Sequence, residues 1–237
     1  MISFNFAEKN SYKNFGIIIS KRPNLPSPKR RVSYIDIPGR DSSLTYDERT
    51  YENITIGVEC KVKDENLLDK IDEIKAWLLS AGEGNLIFSF NDNKKYKAQV
   101  VNSIDFSQIA KKFSEFIIVF NCRPFKYASI NNNIILNQSG TSIINPGSIY
   151  SKPIIRVTCN EDGEFKINEN KIEIIDFTGT LIIDSELEEA FSYREGEISN
   201  ASNNISGEFP KLDVGDNLIS FSGGISKIEI TPNWRWL

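Results

Sequence analysis

Histidine is absent from all 237 residues. It is the one side chain whose ordinary pKa lies near neutrality, and it is the commonest general base and metal ligand. Its absence excludes Ser-His-Asp and Cys-His catalysis and every histidine-bearing metal site, leaving only carboxylate chemistry. Cysteine is scarce: Cys60, Cys122 and Cys159 are an odd number without CxxC spacing. They read as buried, reduced thiols, with a disulfide between two of them left open. No apolar run approaches the roughly 20 residues that span a bilayer, so membrane insertion is not expected. The opening segment, residues 1–8, lacks the basic and apolar regions of a secretory signal. An excess of cations is also missing, since the net charge is −4. Nucleic-acid readout normally rests on a basic stripe and is not expected here. No glycine-rich phosphate loop occurs, and no cofactor is expected.

What is present suits a packed β protein. Hydrophobic residues make up 40% and charged residues 25%, near the average for globular chains. The alternation in Ile2–Phe6, in Ile17–Ile19 and in Ile54, Ile56 and Val58 predicts strands. Between them, Pro23, Pro26 and Pro28 punctuate a basic segment containing Lys21, Arg22, Lys29, Arg30 and Arg31. Such spacing forbids a helix or a central strand and predicts an extended arm, protein-facing or solvated. Strand character resumes over Val32–Ile37 and stops at the Pro38-Gly39 turn, before a polar stretch. One convincing helix follows, with Asp64 as expected N-cap and Gly82 as its left-handed stop. Leu67, Leu68, Ile71, Ile74, Trp77, Leu78 and Ala81 form its expected apolar face. Leu86–Phe90 and Tyr96–Val101 read as a hairpin, and Phe113–Cys122 as a strand closed by Arg123-Pro124-Phe125.

The expected domain boundary lies where Asn, Ser and Gly become frequent, giving domains of residues 1–128 and 129–237. In the second, short strands are expected at Ile154–Cys159, Phe165–Ile167, Ile172–Ile175, Leu181–Ile183, Leu218–Phe221 and Ile225–Ile230. Glycines including Gly196, Gly207, Gly223 and Gly224 fall between or beside them. The pattern predicts an antiparallel sandwich. Asp184, Glu186, Glu188 and Glu189 lack calcium-loop spacing and read as a solvated turn rather than a cation site or carboxylate pair. Trp234 and Trp236 read as cover for a sheet rather than a sugar platform. No catalytic, cofactor-binding or metal-binding residue is assigned, and the chain is not expected to be an enzyme.

In order, several segments resemble the distal tail protein family of long-tailed phages and related tail-like particles. They include Ile37-Pro38-Gly39-Arg40-Asp41, the helix ending in Trp77-Leu78, and Phe120-Asn121-Cys122-Arg123-Pro124-Phe125. Further on come Lys152-Pro153-Ile154-Ile155, Gly207-Glu208-Phe209-Pro210-Lys211-Leu212 and the terminal Trp234-Arg235-Trp236-Leu237. The resemblance implies a mainly β chain: a belt domain, β-sandwich or split barrel with one helix, then a galectin-like antiparallel β-sandwich. It further implies a homohexameric ring at the virion's tail tip, made in the bacterial cytoplasm. Its implied partners are the tail tube protein, the tail-tip hub and receptor-binding proteins. True galectins bind sugar with a histidine, which this chain lacks, so lectin activity is not implied. The expected interface comprises Pro38, Gly39, Arg40, Asp41, Arg30 and Arg31, with Arg40 or Asp41 ion-paired across the ring. A tail tube subunit and a carbohydrate-binding module are the alternatives.

Overall fold

Antiparallel strands account for most of the chain, and they divide into two compact units, the first running to Ser129 and the second spanning Ile130–Trp236. The computed structural model describes residues 2–194 and 197–237; Gly196, expected beside a strand, lies outside the described residues.

The first unit comprises β1 (Phe4–Phe6), β2 (Lys9–Asn10), α1 (Ser11–Phe15), β3 (Ile18–Ile19), β4 (Arg30–Ile35) and β5 (Leu44–Tyr51). It continues with β6 (Ile54–Lys63), α2 (Leu67–Ser80), β7 (Gly84–Phe88), β8 (Lys94–Val100), β9 (Phe106–Ala110) and β10 (Phe113–Ala128). Its main sheet has the order β2-β1-β7-β8-β10-β6-β3, with β9 also on β10. Side chains alternate across a strand, so β6 buries Ile54, Ile56, Val58, Cys60 and Val62. The register sets Cys122, Phe120, Ile118 and Phe116 of β10 directly against the first four. The Ile19 N–H donates to the Ile2 carbonyl at 3.3 Å, which curls the sheet so that β3 returns towards β1.

α2 covers this apolar face with Leu67, Ile71, Ile74, Trp77 and Leu78. Leu68 does not join them and is 69% exposed, because it lies about 100° around the helix from Leu67. Its N-cap is Asn66 rather than Asp64; Asp64 instead accepts the Asn66 N–H at 2.8 Å just ahead of the helix. Gly82, at φ +62, follows the last turn. A second helix, the short α1, was not expected; Asn10 caps it by accepting from the Tyr12 and Lys13 N–H groups. It delivers Phe15 onto Trp77, stacked at 4.3 Å between centroids, while the Trp77 indole N–H donates to the Phe6 carbonyl.

Segment 21–28 carries the three prolines. It is held at both ends, by Ser20 N–H to the Glu59 carbonyl and Glu52 N–H to the Lys29 carbonyl. β10 does not stop at Cys122 as expected. It runs on to Ala128, with a register shift between Cys122 and Lys126 where Pro124, which cannot donate, interrupts the ladder.

The second unit holds β11 (Ile134–Leu136), β12 (Thr141–Asn145), β13 (Ile154–Ile167), β14 (Asn170–Ile174), β15 (Gly179–Asp184) and β16 (Glu189–Arg194). It closes with β17 (Glu197–Asn200), β18 (Ile205–Ser206) and β19 (Gly215–Thr231). The order is β11-β19-β13-β15-β16-β17, with β12 also on β19 and β14 bridging β13 and β18. The expected pairs of short runs are single long strands, β13 and β19, bent together by register shifts between Thr158 and Gly163. Gly223 and Gly224 make that bend possible: a Cβ on either would sit within 2.7 Å of backbone atoms of residues 161–163. The three cysteines are free and buried. Burial pushes all three thiols up, Cys122 to about 12.

Replacing Trp77 with Ala empties the junction of α1, α2 and β1. The first unit should lose about 3–5 kcal/mol, read by urea denaturation followed by circular dichroism, and Trp77→Phe should lose less.

Candidate assembly interface

Among the described residues, β4 and β5 pair only with each other, as a two-stranded sheet separate from the main one. The register sets Ser33 opposite Tyr46, Tyr34 opposite Thr45 and Ile35 opposite Leu44. One face of the hairpin therefore carries Ser33, Ile35, Leu44 and Tyr46, and the other Tyr34 and Asp47. Tyr34 is 70% exposed, Tyr46 60%, Ile35 52% and Leu44 46%. An isolated two-stranded hairpin is marginal in water and normally needs an apolar face covered by another element. Both faces of this one meet solvent.

Its ends are well specified. At the tip, the Arg40 N–H donates to the Ile37 carbonyl at 3.1 Å, and Gly39 sits at φ +81. That is a type II turn, with proline at its second position and glycine at the third, where φ must be positive. At the base, the Asp47 carboxylate accepts from the Arg49 N–H at 2.8 Å and, through both oxygens, from the Arg30 guanidinium at 3.0 and 2.6 Å. The Arg49 N–H and then Arg30 hold the Asp47 carboxyl below the usual carboxylate range. Tyr51 meets the edge of Phe125 at 5.6 Å, which ties the base to the irregular part of β10.

The sequence-expected interface residues thus lie on one hairpin. Pro38, Gly39, Arg40 and Asp41 form its exposed tip, and Arg30 and Arg31 open β4. Arg30 is not on a solvated arm, since it is ion-paired within its own hairpin. The polar stretch after Asp41 is β5, a strand that sequence reasoning missed. Tyr34, Ile35, Leu44 and Tyr46 were missed as surface residues; the alternation over Val32–Ile37 showed a face but not that nothing covers it. Elsewhere the acidic cluster is the β15–β16 turn, where Asp184 accepts from the Glu186 and Leu187 N–H groups and Lys152 lies 3.7 Å from Glu188. Trp234 packs on the second core, and the Trp236 indole N–H donates to the Pro146 carbonyl. Arg235 between them is buried, with its Nε donating to the Tyr150 carbonyl.

Residues 5–122 match the phage tail protein RIFT-related domain family. Over its whole length the chain has the fold of the Dit protein of phage SPP1, a structure described as a paradigm of the hub adsorption apparatus in phages infecting Gram-positive bacteria. The TM-score is 0.78 at 13% identity, covering 100% of each chain. No curated protein sequence matches the chain.

A carboxyl whose pKa is depressed on folding stabilises above its unfolded value and loses that contribution as pH falls through the folded one. Order at the hairpin base should therefore be full at neutral pH and fade below about pH 4. Amide exchange at Arg49 checks this, and Asp47→Asn should show weak protection with little pH dependence.

Proposed function

We propose that this chain is the distal tail protein of a long-tailed phage or related tail-like particle. Six copies close into a ring through the belt domain, residues 1–128. The ring joins the tail tube to the tail-tip hub, and the galectin-like domain, residues 129–237, offers an outer docking surface for receptor-binding proteins. The protein acts at the virion's tail tip after synthesis in the host cytoplasm. Its role is structural, not enzymatic.

The observation that carries this reading is the hairpin. Its base is fixed by the Asp47–Arg30 pair and its tip by the Gly39 turn, yet its apolar side chains have no cover in their own chain. A ring needs such a donor surface, since head-to-tail contacts between identical copies form a ring when their rotation closes around an axis. The tip residues Pro38, Gly39, Arg40 and Asp41, with Arg30 and Arg31 at the base, belong to this interface. Among the described residues, the groups with displaced ionisation are ion-pair members such as Asp47, Lys70, Glu164 and Lys171, and groups shifted chiefly by burial, namely the thiols, Tyr96 and Lys126. Neither set is a nucleophile poised in a cleft. The fold likeness to a protein described as part of a hub adsorption apparatus adds support.

Negative-stain images of the purified protein should show six-fold rings, and antibody labelling of intact particles should mark the tail tip. Long tubes would favour a tail tube subunit, and label away from the tip would overturn the reading. Tyr34→Ser with Tyr46→Ser should abolish rings while shifting monomer stability by no more than about 0.5 kcal/mol per site. Rings that survive both Arg40→Ala and Asp41→Ala would remove the tip from the interface.

A further inference from the structure

We infer that the hairpin's acceptor is the outward side of α2 in a second copy, with Arg40 of one copy meeting Asp72 of the next. This inference rests on the ring reading above and names the surface that completes it. A head-to-tail contact joins two different patches, so a donor hairpin requires a separate acceptor.

α2 provides one. Its inward face is buried, but Leu68 and Leu79 are 69% and 52% exposed on one flank. At about 100° per residue, Leu68, Asp72, Lys75 and Leu79 fall within one narrow stripe. A surface helix has no need of two large apolar residues on its solvent side.

The two patches match in length and charge. Leu68 and Leu79 are separated by roughly 16 Å at the helical rise per residue. The hairpin's apolar row, from the Ser33–Tyr46 pair to Ile37, extends roughly 13 Å at the strand rise. Lys75 lies over the Phe106 ring at 5.6 Å, whereas Asp72 makes no ion pair or hydrogen bond among the described residues. On the hairpin, Arg30 is taken by Asp47, whereas the Arg40 side chain likewise has no partner among the described residues. One unpaired anion lies between the apolar residues of the acceptor, and one unpaired cation at the tip of the donor. Their contact would fix the hairpin's register on the helix, with the tip between Leu68 and Leu79 and the apolar row of Ile35, Leu44 and Tyr46 running back over Leu79.

Charge reversal tests this on the full chain, with mass in solution as the readout. Arg40→Asp and Asp72→Arg should each raise the concentration needed for ring formation by about tenfold or more, because like charges then face each other. The double variant Arg40→Asp/Asp72→Arg should return to within about threefold of the parent, a coupling that only contacting residues show. Both positions are exposed, so monomer melting should not change. If single and double variants lose rings equally, or if Asp72→Arg and Leu79→Glu both assemble like the parent, α2 is not the acceptor even though rings form. If the parent chain forms no rings at any concentration, the ring reading fails and this contact fails with it.

Discussion

The first unit depends on the register in which β6 and β10 oppose each other. Ile54, Ile56, Val58 and Cys60 lie directly across from Cys122, Phe120, Ile118 and Phe116. A slip of one residue would turn each strand's apolar set to the solvent side, and α2 would have nothing to cover. Around this ladder the aromatic side chains interlock. Trp77 stacks on Phe15 and lies near Phe4 and Phe6, which in turn meet Phe120. Two elements far apart in sequence, the amino-terminal strands and the carboxyl-terminal part of α2, are thereby held by one cluster.

That core leaves the β4–β5 hairpin free to serve another purpose. None of its residues is needed to complete the main sheet, so its sequence answers to the turn, the Asp47 pair and whatever lies against its faces. Rigid ends with exposed apolar middles suit docking, because little conformational entropy remains to be lost when a partner arrives. A flexible loop of the same composition would bind less tightly for the same area.

Where a face is buried, the sequence makes it legible. β6, most of β10, the β7–β8 hairpin and the inward side of α2 follow from period-two or helical spacing, and the Pro38-Gly39 turn from its residue types. β5 escaped because both its faces are solvated, so Leu44-Thr45-Tyr46-Asp47-Glu48-Arg49-Thr50-Tyr51 carries no alternation of burial. The extent of β13 and β19 escaped for a different reason. Glycine normally punctuates strands, but Gly223 and Gly224 lie where two backbones nearly touch and the ladder continues through the bend. For the candidate interface, the tip was visible in the sequence. Its apolar flanks were not, since a pattern of residues cannot say which face another element covers.

The proline segment between Ser20 and Lys29 has a bearing on how copies can associate. Leaving the edge strand β3, it is held by the Ser20 N–H on the Glu59 carbonyl of β6 and by the Glu52 N–H, just after β5, on the Lys29 carbonyl, and it puts three residues without amide hydrogens on that margin. Indefinite sheet growth from that margin is blocked at the level of backbone chemistry. Copies that meet along this segment are left to join through side chains.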